Sequence, residues 1–263
     1  MAVFASEVRR LSAPLSEGLR VRHIAHFGLH TCDERDEPAE VLKRDDLADF
    51  DQIPTTNAGK IVGVLERDSG IQRKLDDSLL VSADDSLPGF ITSLERQSYR
   101  LVLDGTGIKG IVTRSDLLKP PVLVLAYSLI AQLEILMNNA IERKYSDSDA
   151  WLSLLPSQAQ KLIDARKRKL RAQNLLLSGI ELADFTHKAK IVRRCLPAER
   201  DFAVDLEKLK KLRDDVAHVH EIVRTGAELH SLVDRLETAT LWINALSRLE
   251  ESGRGELVQK AHA

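Results

Sequence analysis

Cysteine is nearly absent from this 263-residue chain. Cys32 and Cys195 stand far apart and neither belongs to a CxxC pair, so neither a disulfide framework nor a zinc site is indicated, and a reducing cytosol fits. Aromatic residues make up only 4% of the chain. None interleaves with the basic clusters, which argues against a dedicated single-strand binder that stacks bases on rings. No Gly–Lys–Ser/Thr follows a glycine-rich loop, so a Walker-type phosphate loop is missing. His23, His26 and His30 recur at spacings of three and four without a Glu or Cys companion, and no metal site is expected there. The longest apolar run, Val122–Met137, is interrupted by Ser128, Gln132 and Glu134 and is shorter than a bilayer span, so it reads as a buried helix. Met1–Ala5, followed by Arg9 and Arg10, lacks the basic-then-apolar order of a secretory signal. The expectation is a cytoplasmic protein with no membrane segment, no metal and no cofactor.

What is present is a soluble globular composition, 43% hydrophobic and 30% charged. The length calls for two domains, each able to bury its own core. A net charge of −2 hides an asymmetry. Residues 1–121 carry 16 basic and 20 acidic side chains, whereas residues 161–213 carry 15 basic and 7 acidic, an excess of eight that would draw a polyanion.

Two stretches of the N-terminal half repeat each other. Ile61–Asp68 parallels Ile108–Asp116, and Glu37–Leu42 parallels Leu87–Thr92, at an offset of about 47–50 residues. Each copy holds a β-branched strand (Ile53–Thr56; Arg100–Leu103), a turn (Asn57–Gly59; Asp104–Gly107), a second strand and a polar segment opening a helix. The pattern resembles a tandem pair of CBS domains (cystathionine β-synthase type), a module that dimerises internally and binds adenosine-containing ligands. The second copy carries that family's Gly–x–x–Thr–x–x–Asp signature as Gly110, Thr113 and Asp116; the first has Glu66 and Ser69 at those places. The resemblance implies one nucleotide cleft, in which Asp116 accepts from the ribose hydroxyls and Thr113 meets a phosphate or caps the helix. Plain capping of a helix start is the alternative for this pair. Arg100, just ahead of Leu101–Leu103, is either a phosphate contact or an edge charge that discourages aggregation.

Lys119–Pro120–Pro121 interrupts the chain and marks the domain boundary. The helix after it, Val122 to about Lys144, is apolar on most of its circumference and suits the centre of a bundle or a dimer seam. A second amphipathic pattern opens at Ser157, a candidate N-cap, and carries Arg166–Lys169 and Arg171. A third runs from about Ser178 to Cys195 with Lys188, Lys190, Arg193 and Arg194, and a last one has its core stripe from Leu229 to Leu249. Trp151 and Trp242 read as packing residues.

Between the last two patterns lies Leu209–His218, with Leu209, Leu212, Val216, Val219 and Val223 as its apolar stripe. At 100° per residue Arg213 sits at the stripe's margin, whereas Asp214 and His218 share another face one turn apart and about 140° from Arg213. The run Arg213–Asp214–Asp215–Val216–Ala217–His218 resembles the Arg–polar–x–x–x–His motif of HEPN domains (higher eukaryotes and prokaryotes nucleotide-binding), covering residues 121–252. That resemblance implies a cleft between two protomers that cuts RNA by transesterification without a metal, in a stress or defence setting. His218 would move protons, Arg213 would stabilise the phosphorane and Asp214 would orient the imidazole. His220 reads as a bystander, and Glu134 either faces the same cleft or pairs with a core arginine. A solvated helix face is the plainer reading of the same six residues.

The expected architecture is therefore an α+β N-terminal CBS-pair domain plus an all-α C-terminal helical-bundle domain. Its segments are an arm at 1–20, the pair at 21–120, a HEPN-like domain at 121–252 and a frayed tail at 253–263. The expected function is a homodimeric endoribonuclease acting on RNA under control of an adenine nucleotide. The alternatives are a non-catalytic nucleotide-sensing dimerisation module, and a regulatory subunit for another enzyme.

Overall fold

The computed structural model describes residues 18–94, 97–145, 149–175, 178–196, 202–217 and 226–261. Two compact units emerge, one formed by Glu17–Val122 and the other by the chain from Leu123 onward.

The first unit contains two four-stranded sheets. Strands β2 (Cys32–Asp33), β3 (Gln52–Asn57), β4 (Lys60–Glu66) and β5 (Gln72–Lys74) form one, in that order. The other has the order β1 (His26–Phe27), β8 (Gly107–Thr113), β7 (Tyr99–Asp104), β6 (Leu80–Ser82). In each sheet a short strand runs parallel to the first arm of a hairpin, β2 beside β3 and β6 beside β7. A short helix makes each crossover: α1 (Pro38–Val41) in the first copy, α2 (Leu87–Ser93) in the second. Both helices start with proline in the first turn, where a missing N–H is no loss, and Ser86 caps α2 through the Gly89 amide.

The hairpins superpose in register at an offset of 47 residues. Gln52 pairs with Glu66 as Tyr99 pairs with Thr113, and Asn57 pairs with Lys60 as Asp104 pairs with Gly107. Each has one bulge, at Thr55/Thr56 and at Val102/Leu103. Both turns have two residues, and Ala58 (φ 48°), Gly59 (φ 76°) and Gly105 (φ 66°) adopt the left-handed backbone that such tight turns need.

The fourth strands are exchanged. β1 precedes the first copy but pairs antiparallel with β8 of the second, and β5 precedes the second copy but pairs with β4 of the first. A glycine makes room for each crossing strand. A Cβ on Gly110 would come 2.7 Å from the His26 carbonyl oxygen, and one on Gly63 would strike that of Arg73. These four residues are themselves 47 apart (63 to 110, 26 to 73), so the close approach is part of the repeat.

Strand alternation sorts the core into layers. Cys32, Val41, Leu47, Ile53 and Leu65 pack under the first copy's helical segment, with Leu42 and Phe50 beside them. Val64, Leu79, Tyr99 and Leu101 form a second cluster that draws on both sheets, flanked by Ile61, Ile108 and Ile111.

The second unit is helical: α3 (Pro120–Tyr145), α4 (Ser157–Ala172), α5 (Phe185–Val192), α6 (Phe202–Ala217) and α7 (Gly226–Ala261). Pro120 and Pro121 occupy the first turn of α3, where proline is tolerated, so they open the helix as well as ending what precedes it. By length and composition α3 could cross a membrane, and half of its most apolar window is buried within the protein. Leu125, Leu133, Leu136 and Met137 of α3 are fully buried. The pattern expected across Ser178–Cys195 divides at Ala183–Asp184, which are extended, into a 3-10 turn (Ile180–Leu182), α5 and a further 3-10 turn (Arg193–Cys195). Residues 253–261 continue α7 as helix.

Candidate functional site

In the first unit the structure brings Thr113 and Asp116 together. Thr113 ends β8 and precedes the 3-10 turn Arg114–Leu118. Its amide donates to Asp116 Oδ2 at 2.7 Å and its hydroxyl to the same oxygen at 3.1 Å. This is a capping box, which satisfies amides that the turn would leave open. The second oxygen, Oδ1, lies 2.7 Å from Lys119 Nζ. Asp116 is thus a buried carboxylate with one oxygen fixed by its own turn and the other held by a flexible cation.

Arg100 is placed elsewhere. It lies inside β7, not ahead of the strand, and corresponds to Ile53 of the first copy (100 − 47). Alternation puts it opposite Leu101, on the helix side of the sheet. Its guanidinium donates to the Ser93 carbonyl at the end of α2 (3.1 Å), to Gln97 Oε1 (2.8 Å) and to the Tyr99 carbonyl (3.0 Å). A cation on the last carbonyl of a helix meets the negative end of its dipole. Burial, and then the nearby charge of Arg73, hold this guanidinium below the usual arginine range.

The corresponding place in the first copy is filled from the second. Tyr99 donates its hydroxyl to Glu66 Oε1 at 2.9 Å, where Glu66 stands in for Thr113, and Ser69, in the place of Asp116, donates to Glu66 Oε2 at 3.4 Å. Burial and the Glu66 carboxylate push the Tyr99 phenol well above its usual range. Two arginines that sequence reasoning missed repeat the architecture: Arg67 binds the carbonyls of Leu42, Leu47 and Phe50, and Arg114 reaches that of Leu94. Arg67 and Arg114, like Leu47 and Leu94, are 47 apart, and that recurrence was the signal available in the sequence.

In the helical unit Leu209 and Leu212 are buried on α6, Val216 is half-buried and Arg213 is exposed. Arg213 Nη1 lies 3.2 Å from Asp214 Oδ1, and both side chains are more than half exposed. His218 and His220 lie outside the described residues, so the structure does not place the imidazole relative to Arg213. The carboxylate that turns inward is Asp215, whose Oδ2 lies 3.1 Å from Arg235 Nη1 of α7. Arg235 is 2% exposed, and burial holds its guanidinium below the usual range. Neither residue of that pair was singled out from the sequence, because their contact spans two helices. Trp242 donates its indole N–H to the buried Asp205 at 3.0 Å, a packing residue with its polar tip satisfied.

Several of the basic residues are internal ties. Lys188, buried, holds Glu134 at 2.8 Å; Lys167 holds Asp149; Arg166 donates to the Leu182 carbonyl at 3.0 Å. Arg168, Lys169, Arg171 and Lys190 are exposed. No group of three or more His, Cys, Asp or Glu residues that could hold a metal occurs among the described residues.

No protein family model matches the chain, and no curated protein matches it. Among solved structures, two of a CBS domain pair in complex with 5′-methylthioadenosine and S-adenosyl-L-methionine are each 17% identical, with a TM-score of 0.33, covering 38% of this chain and 92% or 96% of theirs. The CBS domain of the bacterial CNNM/CorC family Mg2+ transporter is 16% identical, with a TM-score of 0.35, covering 46% of this chain and 83% of its own.

Proposed function

We propose that residues 17–122 are a tandem CBS pair that binds an adenosine-containing ligand at Asp116 and so regulates the helical unit. The observation that carries this reading is the duplication at 47 residues with exchanged fourth strands, in which one copy keeps Thr113 and Asp116 and the other has Glu66 bonded to Tyr99. An ionised carboxylate beside a strand end is an acceptor suited to sugar hydroxyls, and at Asp116 the oxygen available to them is Oδ1, since Oδ2 accepts from Thr113. The first copy lacks a carboxylate at the equivalent place, so one ligand per chain is the expected stoichiometry. Thr113 orients Asp116 through its amide and hydroxyl. Arg100 serves as an anchor for α2 through the Ser93 carbonyl.

The test is calorimetric titration of the full chain with AMP, ATP and S-adenosylmethionine. Saturable heat with a stoichiometry of one, lost in Asp116→Ala, supports the reading. No heat with any of the three returns this unit to a scaffold role.

A second reading has its own observation. Arg213 is exposed on α6 beside Asp214, outside the Leu209/Leu212 core stripe, where a substrate phosphate can reach it. With His218 five residues on, the pair would serve metal-free transesterification of RNA in a homodimeric cleft. In that reaction the 2′-oxygen attacks phosphorus, the 5′-oxygen leaves, and the products are a 2′,3′-cyclic phosphate and a 5′-hydroxyl. Incubation with labelled RNA in EDTA, with end-group analysis, decides between an enzyme and a binding module.

A further inference from the structure

Lys119 holds the Asp116 oxygen that Thr113 leaves free. Its ammonium lies 2.7 Å from Asp116 Oδ1 and donates to the Ile24 carbonyl at 2.5 Å. The Asp116 side chain is 11% exposed, that of Lys119 38%. Ile24 closes the turn Val21–His23 ahead of β1, and Lys119 immediately precedes Pro120, the first residue of α3. One ammonium therefore ties the candidate ribose carboxylate, the lead-in to an exchanged strand and the root of the helix that runs into the second unit.

We propose that Lys119 is a displaceable gate, which occupies the Asp116 oxygen a ribose hydroxyl needs and is expelled when an adenosine ligand binds. The proposal rests on the reading that Asp116 holds ribose. The two oxygens of Asp116 are not equivalent in cost. Oδ2 holds the capping box, accepting from both the amide and the hydroxyl of Thr113. Oδ1 is held by the end of a long arm that is more than one-third exposed, and an expelled ammonium regains its hydration, so exchange there is cheap. Because the same ammonium holds the Ile24 carbonyl, its departure removes one tie from the turn at 21–24, whose backbone also bonds Ala83 and Asp85, and does so at the residue that precedes α3. The first copy has no such device: the counterpart of Lys119 (119 − 47) is Gln72, which donates to Thr55 Oγ1 at 3.4 Å, and the counterpart of Asp116 is Ser69. A gate that is shut about nine-tenths of the time weakens apparent affinity about tenfold.

The test compares wild type, Lys119→Met and Lys119→Arg by calorimetry with adenosine, whose neutrality removes any attraction of the lysine for phosphate. Amide hydrogen exchange over residues 20–25 and 116–123 accompanies it. The expected result is about tenfold tighter adenosine binding by Lys119→Met, near wild-type binding by Lys119→Arg, and loss of amide protection in both segments when wild type binds. Wild type that binds adenosine with no change at these amides overturns the gate whatever the variants do. So does a Lys119→Met protein that binds no more tightly than wild type; in both cases the ribose reading survives. Absence of binding by both proteins overturns the gate and the ribose reading together.

Discussion

At the scale of single residues, each of the charged groups singled out here is defined by what else it must hold. Asp116 caps its own turn as well as facing the candidate ligand, so Asp116→Ala should lose binding and about 1 kcal/mol of stability together. Asp116→Asn keeps an acceptor for the cap and isolates the effect of charge, with binding weakened and the melting temperature close to wild type. Arg235→Ala should be far more disruptive, because it strands the inward-facing Asp215 carboxylate; removing one partner of a buried pair costs about 3–5 kcal/mol. Chemical denaturation would measure this, and a loss under 1 kcal/mol would mean that Asp215 finds water or another partner. Asp116 and Thr113 were legible in the sequence because a local motif names them. Arg235 and the role of Arg67 were not, because their partners are carboxylates or carbonyls set by tertiary packing; Lys119 stands only three residues from Asp116, but its hold on the Ile24 carbonyl needs the fold.

At the scale of elements, the hairpins were readable from alternating β-branched residues and glycine-bearing turns, with the offset bracketed at about 47–50 residues and fixed at 47 by the strand register. The exchanged strands were not. His26–Phe27 and Gln72–Lys74 are two and three residues long, too short for periodicity to register, and they exist because a neighbouring hairpin edge accepts them. The helices fared similarly: α3 announced itself by its apolar length, whereas the break at Ala183–Asp184 lies within a stretch whose hydrophobic rhythm continues across it. The glycine pair offers a direct check on the exchange. Gly110→Ala and Gly63→Ala should each destabilise by about 1–3 kcal/mol, because the added methyl meets a backbone carbonyl that cannot rotate away. Alanine tolerated at both sites would show that the crossing strands sit further off. Tyr99 supplies a pH test for the layer between the sheets. Its phenol titrates higher in the folded chain than in the unfolded one, so stability is complete below about pH 10 and falls as pH rises beyond it. Tyr99→Phe should flatten that alkaline limb, and a limb unchanged by the substitution would assign it to other groups.

At the scale of the whole molecule, the chain joins a duplicated α+β unit to a helical one, and the candidate ligand residue Asp116 lies one short turn from the residue that begins α3. The helical unit's chemistry is a separate question from the sensor's. If the unit cleaves RNA, Arg213→Ala should cost about 10²-fold or more in rate with little change in melting temperature, since Arg213 is exposed and outside the core stripe. A homodimeric cleft also requires a dimeric mass at micromolar concentration; a monomer there would remove the composite site. Neither result bears on whether Asp116 holds an adenosine ligand. Titration of AMP into wild type and into Asp116→Asn, side by side in a calorimeter, answers that question. One site per chain in wild type and at least tenfold weaker binding in the variant are expected. Equal affinity in the two proteins would mean that Asp116 does not hold the ligand.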